Sequence, residues 1–264
     1  MYFYSDIYQD LRKIGIREND NILMHSSMKS VGEVDGGAKT VIDALKDTLR
    51  NGMLVLPTHT WATVNEEHPL YDPDKEPACV GILPNLFLKE EGVFRSLHPT
   101  HSLAAWSADE LECKDKMHTR AYQFVQGEEA FETPCNRKGC YGKLYDMDAK
   151  ILLMGVGLNK NTFMHGVEEW FGISERLTKE TLALEIRMPD GSNKSVAMHK
   201  HYKPKNISIS ENYTRMYQPF LEEGAMQIGK IGDADCMLIQ TQQMTEIVNR
   251  YLSKDRNYFL HGLE

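Results

Sequence analysis

The chain has 264 residues, of which 41% are hydrophobic and 26% are charged, and its formal net charge is −8. This length allows one large domain or two small ones, and the apolar content is enough for a sizeable core. Nucleic acid is not expected as a partner, because a phosphate-backbone binder needs a basic patch and the sequence shows none. No apolar run approaches the roughly 18 residues that a membrane-spanning helix needs, so no membrane association is expected.

Cysteine usage points to the cytoplasm. The five cysteines are odd in number and scattered along the chain, at Cys79, Cys113, Cys135, Cys140 and Cys236. This pattern fits a reducing compartment better than a disulfide framework. The first residues contain an acid at position 6 and no long apolar stretch, so no signal peptide is expected. The sequence leaves the oligomeric state open, a homodimer included.

Helices and strands alternate through residues 1–170, which we take as the core. Helical spacing of apolar residues predicts helices over 4–14, 38–50 and 80–89, and a charged helical cover over 108–124. Short apolar runs predict strands at 21–25, 53–56 and 151–154. The alternation predicts an α/β fold, a three-layer α/β/α arrangement around a central mixed sheet, with these three strands at its centre.

Residues 171–264 are expected to form a smaller, hairpin-bearing portion of the same single domain. Two β-like segments, 181–188 and 195–198, flank Asp190-Gly191, a strong hairpin turn signal. Two further strands are predicted at 226–232 and 236–239, and a closing helix at 244–252. No linker separates this portion from the core, so the chain is interpreted as one domain over 1–264.

The segment 151–170 carries the best candidate for catalysis. Its predicted strand ends in a polar, glycine-containing turn, and the helix that follows carries His165 and Glu168 three positions apart. Ligands of open α/β sheets collect at the carboxyl ends of strands. A histidine at that place with a carboxylate neighbour is typical of a general base. A packing histidine bonded to a glutamate is the alternative, and the spacing alone leaves both open.

A serine- and glycine-rich turn follows the first predicted strand. Ser26, Ser27 and Ser30 offer hydroxyls there, and Gly32 allows a close approach to the backbone. Hydroxyls and free N–H groups before a helix suit a phosphate group. The turn is neither a Walker loop nor a G-x-G-x-x-G sequence, so it supports neither nucleotide hydrolysis nor a dinucleotide fold. An ordinary polar turn with a helix cap is the competing interpretation.

Polar and acidic residues that follow the second predicted strand are candidates for a substrate-binding region. Thr58, His59, Thr60 and Trp61 come directly after the second predicted strand and are interpreted as a site wall. The acidic, proline-containing stretch 65–77 is predicted to be a lid or binding loop. Its acids would attract an amine-rich substrate, although solvated loops commonly carry such residues too.

Three close pairs of metal-ligand residue types occur, and none is a complete site. His98 and His101 are separated by Pro99, which argues against a helical pair, so site-lining or structural roles are favoured. His199 and His201 would share one face of a strand, and Cys135 and Cys140 are the closest cysteines. A zinc ion needs three or four convergent ligands. The sequence names no further ligand for any pair, so no metal is expected.

Five segments in order make the chain resemble the aminoglycoside 3-N-acetyltransferases, also called the antibiotic N-acetyltransferase family. They are HSSMKSVGEVDGG (25–37), LVLPTHTW (54–61), RSLHPTHSLAAW (95–106), KLYDMDAKILLMGVGLNKNTFMHGVEE (143–169) and GKIGDADC (229–236). The resemblance covers most of the chain. The chain departs from it at Ser107, where relatives usually have glycine, and the lid over 65–78 aligns least well.

The resemblance implies an enzyme of antibiotic resistance that transfers the acetyl group of acetyl-CoA directly to an amine. The acceptor it implies is the 3-amino group on the 2-deoxystreptamine ring of an aminoglycoside. It maps the general base to His165 and the orienting carboxylate to Glu168. The coenzyme contacts it implies are Ser26, Ser27, Ser30, Val31, Gly32 and Ser102. We expect the acceptor to meet Thr58, Trp61, Asp72 and His98.

Four other functions stay open from the residues alone. A covalent route would use Cys135 or Cys140 as the nucleophile with a histidine as its base. A metal-dependent hydrolase would use the histidines at 98, 101, 199 and 201. The protein could also transfer an acyl group to a different small amine, or bind CoA or an antibiotic without turnover.

Overall fold

The computed structural model describes residues 1–111, 115–126 and 130–263. Cys113 and residues 112–114 of the predicted helical cover lie outside the described residues. The strands are β1 Asn21–Ser26, β2 Met53–Pro57, β3 Leu70–Tyr71, β4 Phe94–Arg95, β5 Leu103–Ser107, β6 Lys150–Met154, β7 Leu177–Arg187, β8 Asn193–His201, β9 Met226–Ile231 and β10 Ala234–Gln240. The α-helices are α1 Tyr4–Lys13, α2 Gly37–Thr48, α3 Ile82–Phe87, α4 Arg120–Val125, α5 Cys140–Asp146, α6 Phe163–Trp170, α7 Tyr217–Glu222 and α8 Thr241–Lys254.

The main sheet has seven strands in the order β4-β5-β2-β1-β6-β10-β9. The three central strands β2, β1 and β6 run parallel, with Leu23 of β1 paired to Val55 and to Ile151. The outer strands β5 and β10 run antiparallel to their inner neighbours. The predicted mixed sheet, with the strands near 22, 53 and 151 at its centre, is therefore confirmed.

Alternate side chains of the central strands enter two separate cores. Leu23, Val55 and Ile151 pack on one face of the sheet with α6 and α8. Ile22 and Leu54 pack on the other face with α1 and α2. This follows from the period of two in a strand, and central strands of a parallel sheet are covered on both faces. The result is the predicted three-layer α/β/α arrangement.

A second, three-stranded sheet has the order β3-β7-β8. β7 and β8 form the predicted hairpin, which turns through Asp190 and Gly191, the latter at φ +83°. A small core that includes Tyr71, Ile186 and Met198 lies under this sheet. The pairing of β7 and β8 is irregular between Leu177 and Thr181.

The C-terminal portion is divided between both sheets. β7 and β8 build the smaller sheet, whereas β9 and β10 complete the main sheet beside β6. The predicted boundary at residue 170 therefore does not separate two packing units, because long-range strand pairing crosses it. Sequence periodicity identified the strands but carries no information on which sheet each one joins.

Two predicted helices are shorter in the structure. Residues 108–111 form a single 3₁₀ turn, and α4 begins only at Arg120, with the Thr119 hydroxyl accepting a hydrogen bond from the Tyr122 N–H at 3.3 Å. The helix predicted over 80–89 is limited to Ile82–Phe87. None of the described helices combines the length and the hydropathy that crossing a bilayer requires.

Candidate active site

A chain of hydrogen bonds links four buried or half-buried side chains at the start of α6. The Tyr213 hydroxyl lies 2.7 Å from Nδ1 of His165 and 2.6 Å from Oε2 of Glu168. Nε of Arg176 donates to the other carboxylate oxygen of Glu168 at 2.5 Å. Glu168 therefore acts on the His165 ring through Tyr213, and not by the direct contact that their spacing suggested. We call these four residues the base relay.

The base relay fixes the tautomer of His165. A carboxylate only accepts hydrogen bonds, so the single Tyr213 proton is donated to Glu168. The Tyr213 oxygen must then accept from His165, which places the imidazole proton on Nδ1. The lone pair is left on Nε2, and His165 lines the large cleft. Nδ1 of His165 is thus occupied by Tyr213, and Nε2 is the nitrogen that can accept a proton.

The surroundings set the charges of the base relay. Burial lowers the pKa of His165 well below its usual value, and His201 and Lys203 lower it further, so the ring is neutral near pH 7. Burial raises the pKa of Glu168, and the Arg176 guanidinium and the Tyr213 hydroxyl act in the opposite direction. Burial and the Glu168 charge raise the pKa of Tyr213 well above 10, so this phenol stays protonated. Glu168 and Arg176 therefore form a buried ion pair.

His201, at the end of β8, lies against the general-base candidate. Its ring stacks on His165 with the centroids 4.0 Å apart and the planes at 17°. Its Nε2 lies 3.0 Å from Oε1 of Glu169, the residue next to Glu168 on α6. Burial lowers the pKa of His201 to about 3 and raises that of Glu169 to about 7. The two adjacent glutamates thus support two adjacent imidazoles.

Three further histidines extend this wall. The His101 ring lies 5.2 Å from that of His201 and 4.7 Å from that of His59. His59 is held by the Tyr141 hydroxyl, 2.9 Å from its Nε2. His25 is the penultimate residue of β1, and burial lowers its pKa to about 4. Its buried Nε2 has no hydrogen-bond partner among the described residues. Burial keeps these rings neutral, so they form a polar but largely uncharged wall.

One cleft, with a volume of about 1210 Å³, is lined by five histidines: His25, His59, His101, His165 and His201. It opens at the carboxyl ends of β1 and β2, where Ser26, Pro57 and His59 contribute to it. The smaller sheet closes it from the other side through Lys200 and His201. A cleft of this size is large for one small ligand and suits two substrates bound together.

The residues predicted to hold a coenzyme are partly at this cleft. Ser26 lines it. Ser27 and Ser30 are joined through their hydroxyls at 3.0 Å, and the Ser30 hydroxyl also donates to the Gly155 carbonyl at 3.2 Å. Val31 is buried, and its carbonyl accepts from the Asp233 N–H.

Gly32 and Ser102 behave differently. Gly32 has φ +86°, and a Cβ there would lie 2.3 Å from Oδ2 of Asp233, so only glycine fits. Ser102 is fully buried, and its hydroxyl donates to the Thr58 carbonyl at 2.8 Å. Ser26, Ser27, Ser30 and Gly32 are partly exposed, whereas Ser102 has no exposed surface, so Ser102 is not retained as a coenzyme contact.

Of the residues predicted to meet the acceptor, Trp61 lines the cleft and is half exposed. Thr58 is fully buried beneath it, where its carbonyl accepts from the Arg95 guanidinium. His98 is buried, with Nδ1 accepting from the His101 N–H at 3.0 Å and Nε2 donating to the Thr133 carbonyl. Asp72 pairs with Lys75 at 3.0 Å in the loop. Thr58, His98 and Asp72 therefore support the wall and the loop from behind.

The residues of the two enzymatic alternatives are not arranged for those reactions. The thiols of Cys135 and Cys140 are buried and donate to the carbonyls of Thr162 and Phe124, each at 3.7 Å. Both nitrogens of His98 serve backbone groups, and Nδ1 of His199 donates to the Thr178 carbonyl. Within the described part of the chain, the four histidines proposed for a hydrolase do not converge on one ion position.

Sequence reasoning missed Tyr213 and Arg176. Tyr213 lies in a 3₁₀ stretch, Ile209–Met216, and Arg176 in a short turn before β7, so neither belongs to a periodic element. Both are buried charged or polar side chains, which signals a partner, but burial is invisible in the sequence. The sequence did name His59 as part of a site wall, and His59 lines the cleft. His25 could have been found by the same reasoning, because it stands at the carboxyl end of a parallel strand.

Known proteins have related sequences. A sequence model described as aminoglycoside 3-N-acetyltransferase matches residues 23–253. The prophage-derived aminoglycoside N(3')-acetyltransferase-like protein YokD of Bacillus subtilis is 25% identical, over 94% of this chain and 91% of the relative. Aminoglycoside N(3)-acetyltransferase III of a Salmonella species is 24% identical, over 96% of this chain and 92% of the relative.

Solved structures share the fold. The apoenzyme of aminoglycoside acetyltransferase AAC(3)-IVa superposes with a TM-score of 0.80 at 22% identity, covering 98% of this chain and 92% of that one. AAC-IIIb in its binary complex with CoASH also gives 0.80 at 22% identity, covering 96% and 97%. Because the family model spans most of the sequence, the chain belongs to the aminoglycoside 3-N-acetyltransferase family.

Proposed function

We propose that the protein transfers the acetyl group of acetyl-CoA to the 3-amino group on the 2-deoxystreptamine ring of an aminoglycoside. The observation that carries this proposal is the hydrogen-bonded chain from Nδ1 of His165 through the Tyr213 hydroxyl to Glu168. The base relay holds the His165 proton on Nδ1 and leaves the Nε2 lone pair for a substrate in the cleft. Family membership supplies the reaction class.

In the proposed reaction, Nε2 of His165 removes a proton from the acceptor amine as the amine nitrogen attacks the thioester carbonyl. The C–N bond forms, the C–S bond breaks, and the coenzyme leaves as a thiolate. As His165 becomes an imidazolium, its Nδ1–H bond to Tyr213 strengthens, because Glu168 polarises the phenol from the other side. Arg176 keeps Glu168 ionised. No residue of the protein is acylated.

Acetyl-CoA supplies the activated acetyl group, and the turn after β1 is the proposed place for its pantetheine and pyrophosphate. Ser26 borders the cleft, and the pair Ser27 and Ser30 holds the turn against Gly155. Gly32 allows the close approach to Asp233. Lys160 is an exposed cation on the cleft wall and can face a phosphate. We propose Ser26, Ser27, Ser30, Val31 and Gly32 as the coenzyme residues, without Ser102.

Three acids on the cleft wall support a cationic acceptor. Glu66 and Glu67 of the predicted lid line the cleft, as does Glu211. Carboxylates at a cleft mouth raise the local concentration of a polyamine and orient its ammonium groups. Trp61 offers an exposed aromatic face beside them. We propose a cytoplasmic location, where acetyl-CoA is available, and the odd number and scattered positions of the cysteines support it.

One observation favours a second acceptor class. Lys160, Lys200 and Lys203 line the same cleft, so its lysines equal in number the three glutamates. An acceptor that carries an acidic group beside its amine would satisfy both signs of charge. The second candidate is therefore acetyl transfer to a small zwitterionic amine, by the same base relay.

The test is release of free thiol from acetyl-CoA, followed with a panel of amines. Release with an aminoglycoside that has a free 3-amino group, and none when that group is blocked, is the expected result. Release only with amines that carry an acidic group would move the assignment to the second candidate. No release with any amine, while acetyl-CoA binds tightly, would refute turnover and leave a binding protein.

A further inference from the structure

Three side chains of metal-binding type meet beside the base relay. They are Cys135, Glu169 and His201, and one donor atom from each lies within 4.8 Å of the other two. In residues 1–111, 115–126 and 130–263 they are the single group of three or more such ligands. The sequence placed Cys135 and His201 in two different pairs, and the fold brings one member of each together with a carboxylate.

The three ligands come from three separate parts of the fold. Cys135 lies in the loop before α5, Glu169 is on α6, and His201 ends β8. Oε1 of Glu169 lies 3.0 Å from Nε2 of His201 and accepts from the Cys135 N–H at 3.2 Å. Elements that are themselves packed into the two sheets hold the ligands in place, so little ordering entropy would be lost on binding an ion.

Burial makes this cluster unusual. The side chains of His201 and Glu169 are 12% and 5% exposed, and Cys135 is fully buried. Oε1 of Glu169 is hydrogen-bonded to a neutral imidazole, that of His201, and among the described residues no lysine or arginine forms an ion pair with this carboxylate. A buried carboxyl without a fixed cation is costly, whereas a divalent ion balanced by one carboxylate and one thiolate leaves no net charge.

From this geometry we propose that Cys135, Glu169 and His201 bind a zinc-type divalent cation. A thiolate, an imidazole and a carboxylate are the ligand types that Zn²⁺ takes, and the sulfur disfavours Mg²⁺ and Ca²⁺. Binding releases the Cys135 thiol proton to solvent and involves no redox change. A water completes the tetrahedron as the fourth ligand.

The cleft gives the ion a route to the site. Pro134, next to Cys135, lines the cleft, and so do Thr162 and His201. An ion can therefore arrive from solvent without unfolding of the core. The three ligands are distinct from the four residues of the base relay, and the cobalt test below reads ion binding without any acetyl transfer.

The test is a Co²⁺ titration of the full-length, EDTA-treated protein. Cobalt replaces zinc in such sites, and a thiolate ligand adds a charge-transfer absorption band. We expect the band to saturate at one ion per chain, and added Zn²⁺ to remove it. Cys135→Ser should abolish the band. His201→Asn and Glu169→Gln should each weaken Co²⁺ binding at least tenfold.

Cys140→Ser is the matched control, because Cys140 is equally buried five residues along the chain but lies outside the cluster. It should keep the band and the affinity. Circular dichroism checks that each variant is folded, and the His201 and Glu169 variants test the site if Cys135→Ser does not fold. A wild-type protein without the band, or a band that survives Cys135→Ser, would overturn the proposal.

Discussion

The Tyr213→Phe variant tests the base relay most directly. The change removes one oxygen that accepts from Nδ1 of His165 and donates to Oε2 of Glu168. A hydrogen bond to a charged group contributes about 1.5–3 kcal/mol, and about 1.4 kcal/mol changes a rate tenfold. Because the bond strengthens as His165 gains its proton, we expect kcat to fall roughly 10- to 100-fold, with little change in acetyl-CoA affinity.

The same change affects stability by a different route. It leaves Oε2 of Glu168 buried without a donor, and an unsatisfied buried acceptor costs about 1–3 kcal/mol. The free energy of unfolding, measured in urea, should fall by about that amount. Steady-state kinetics at saturating acetyl-CoA give kcat, and isothermal titration calorimetry gives the affinity for the coenzyme.

Tyr141→Phe is the matched control. The Tyr141 hydroxyl is also buried and also bonds a histidine, His59, at 2.9 Å. Losing it should cost comparable stability but change kcat less than threefold, because His59 is outside the base relay. The double variant His165→Ala/Tyr213→Phe should be no slower than His165→Ala, since the phenol acts only through the imidazole. A Tyr213→Phe enzyme with wild-type kcat would refute this reasoning.

Three further substitutions probe other parts of the site. His165→Ala should lower turnover by roughly 10²–10⁴, the contribution of a general base, while calorimetry shows nearly unchanged acetyl-CoA binding. Arg176→Ala leaves the buried Glu168 carboxylate without its cation and should lower the free energy of unfolding in urea by about 3–5 kcal/mol. Gly32→Ala places a Cβ 2.3 Å from Oδ2 of Asp233 at φ +86°, so both stability and acetyl-CoA affinity should fall.

The chain offers controls for the last two variants. Lys230→Ala removes the exposed ion pair with Asp235 and should leave the unfolding curve unchanged. Gly191→Ala also has a positive φ, +83°, but its Cβ would meet open space, so it isolates the backbone strain from the contact with Asp233. If Gly32→Ala and Gly191→Ala lower the free energy of unfolding by the same amount, the Asp233 contact is unimportant for stability. An Arg176→Ala protein as stable as Lys230→Ala would contradict the ion-pair assignment.

The sequence by itself determined the local elements and the place of the general-base candidate. Apolar runs near 22, 53 and 151 identified the central strands, because a strand buried on both faces has to be apolar throughout. His165 could be placed at the carboxyl end of β6 by the strand, turn and helix pattern alone. Asp190-Gly191 located the hairpin, because few other sequences adopt that turn.

Only the tertiary structure decided which distant residues support that base. Tyr213 and Arg176 are 48 and 8 residues from their partners in the relay. Neither position has a local pattern that predicts its role. The expected direct contact of Glu168 with His165 was replaced by Tyr213, because helical spacing fixes a shared face but not what lies between two side chains. The grouping of Cys135, Glu169 and His201 likewise depends on how the smaller sheet packs against α6, which no periodicity in the sequence encodes.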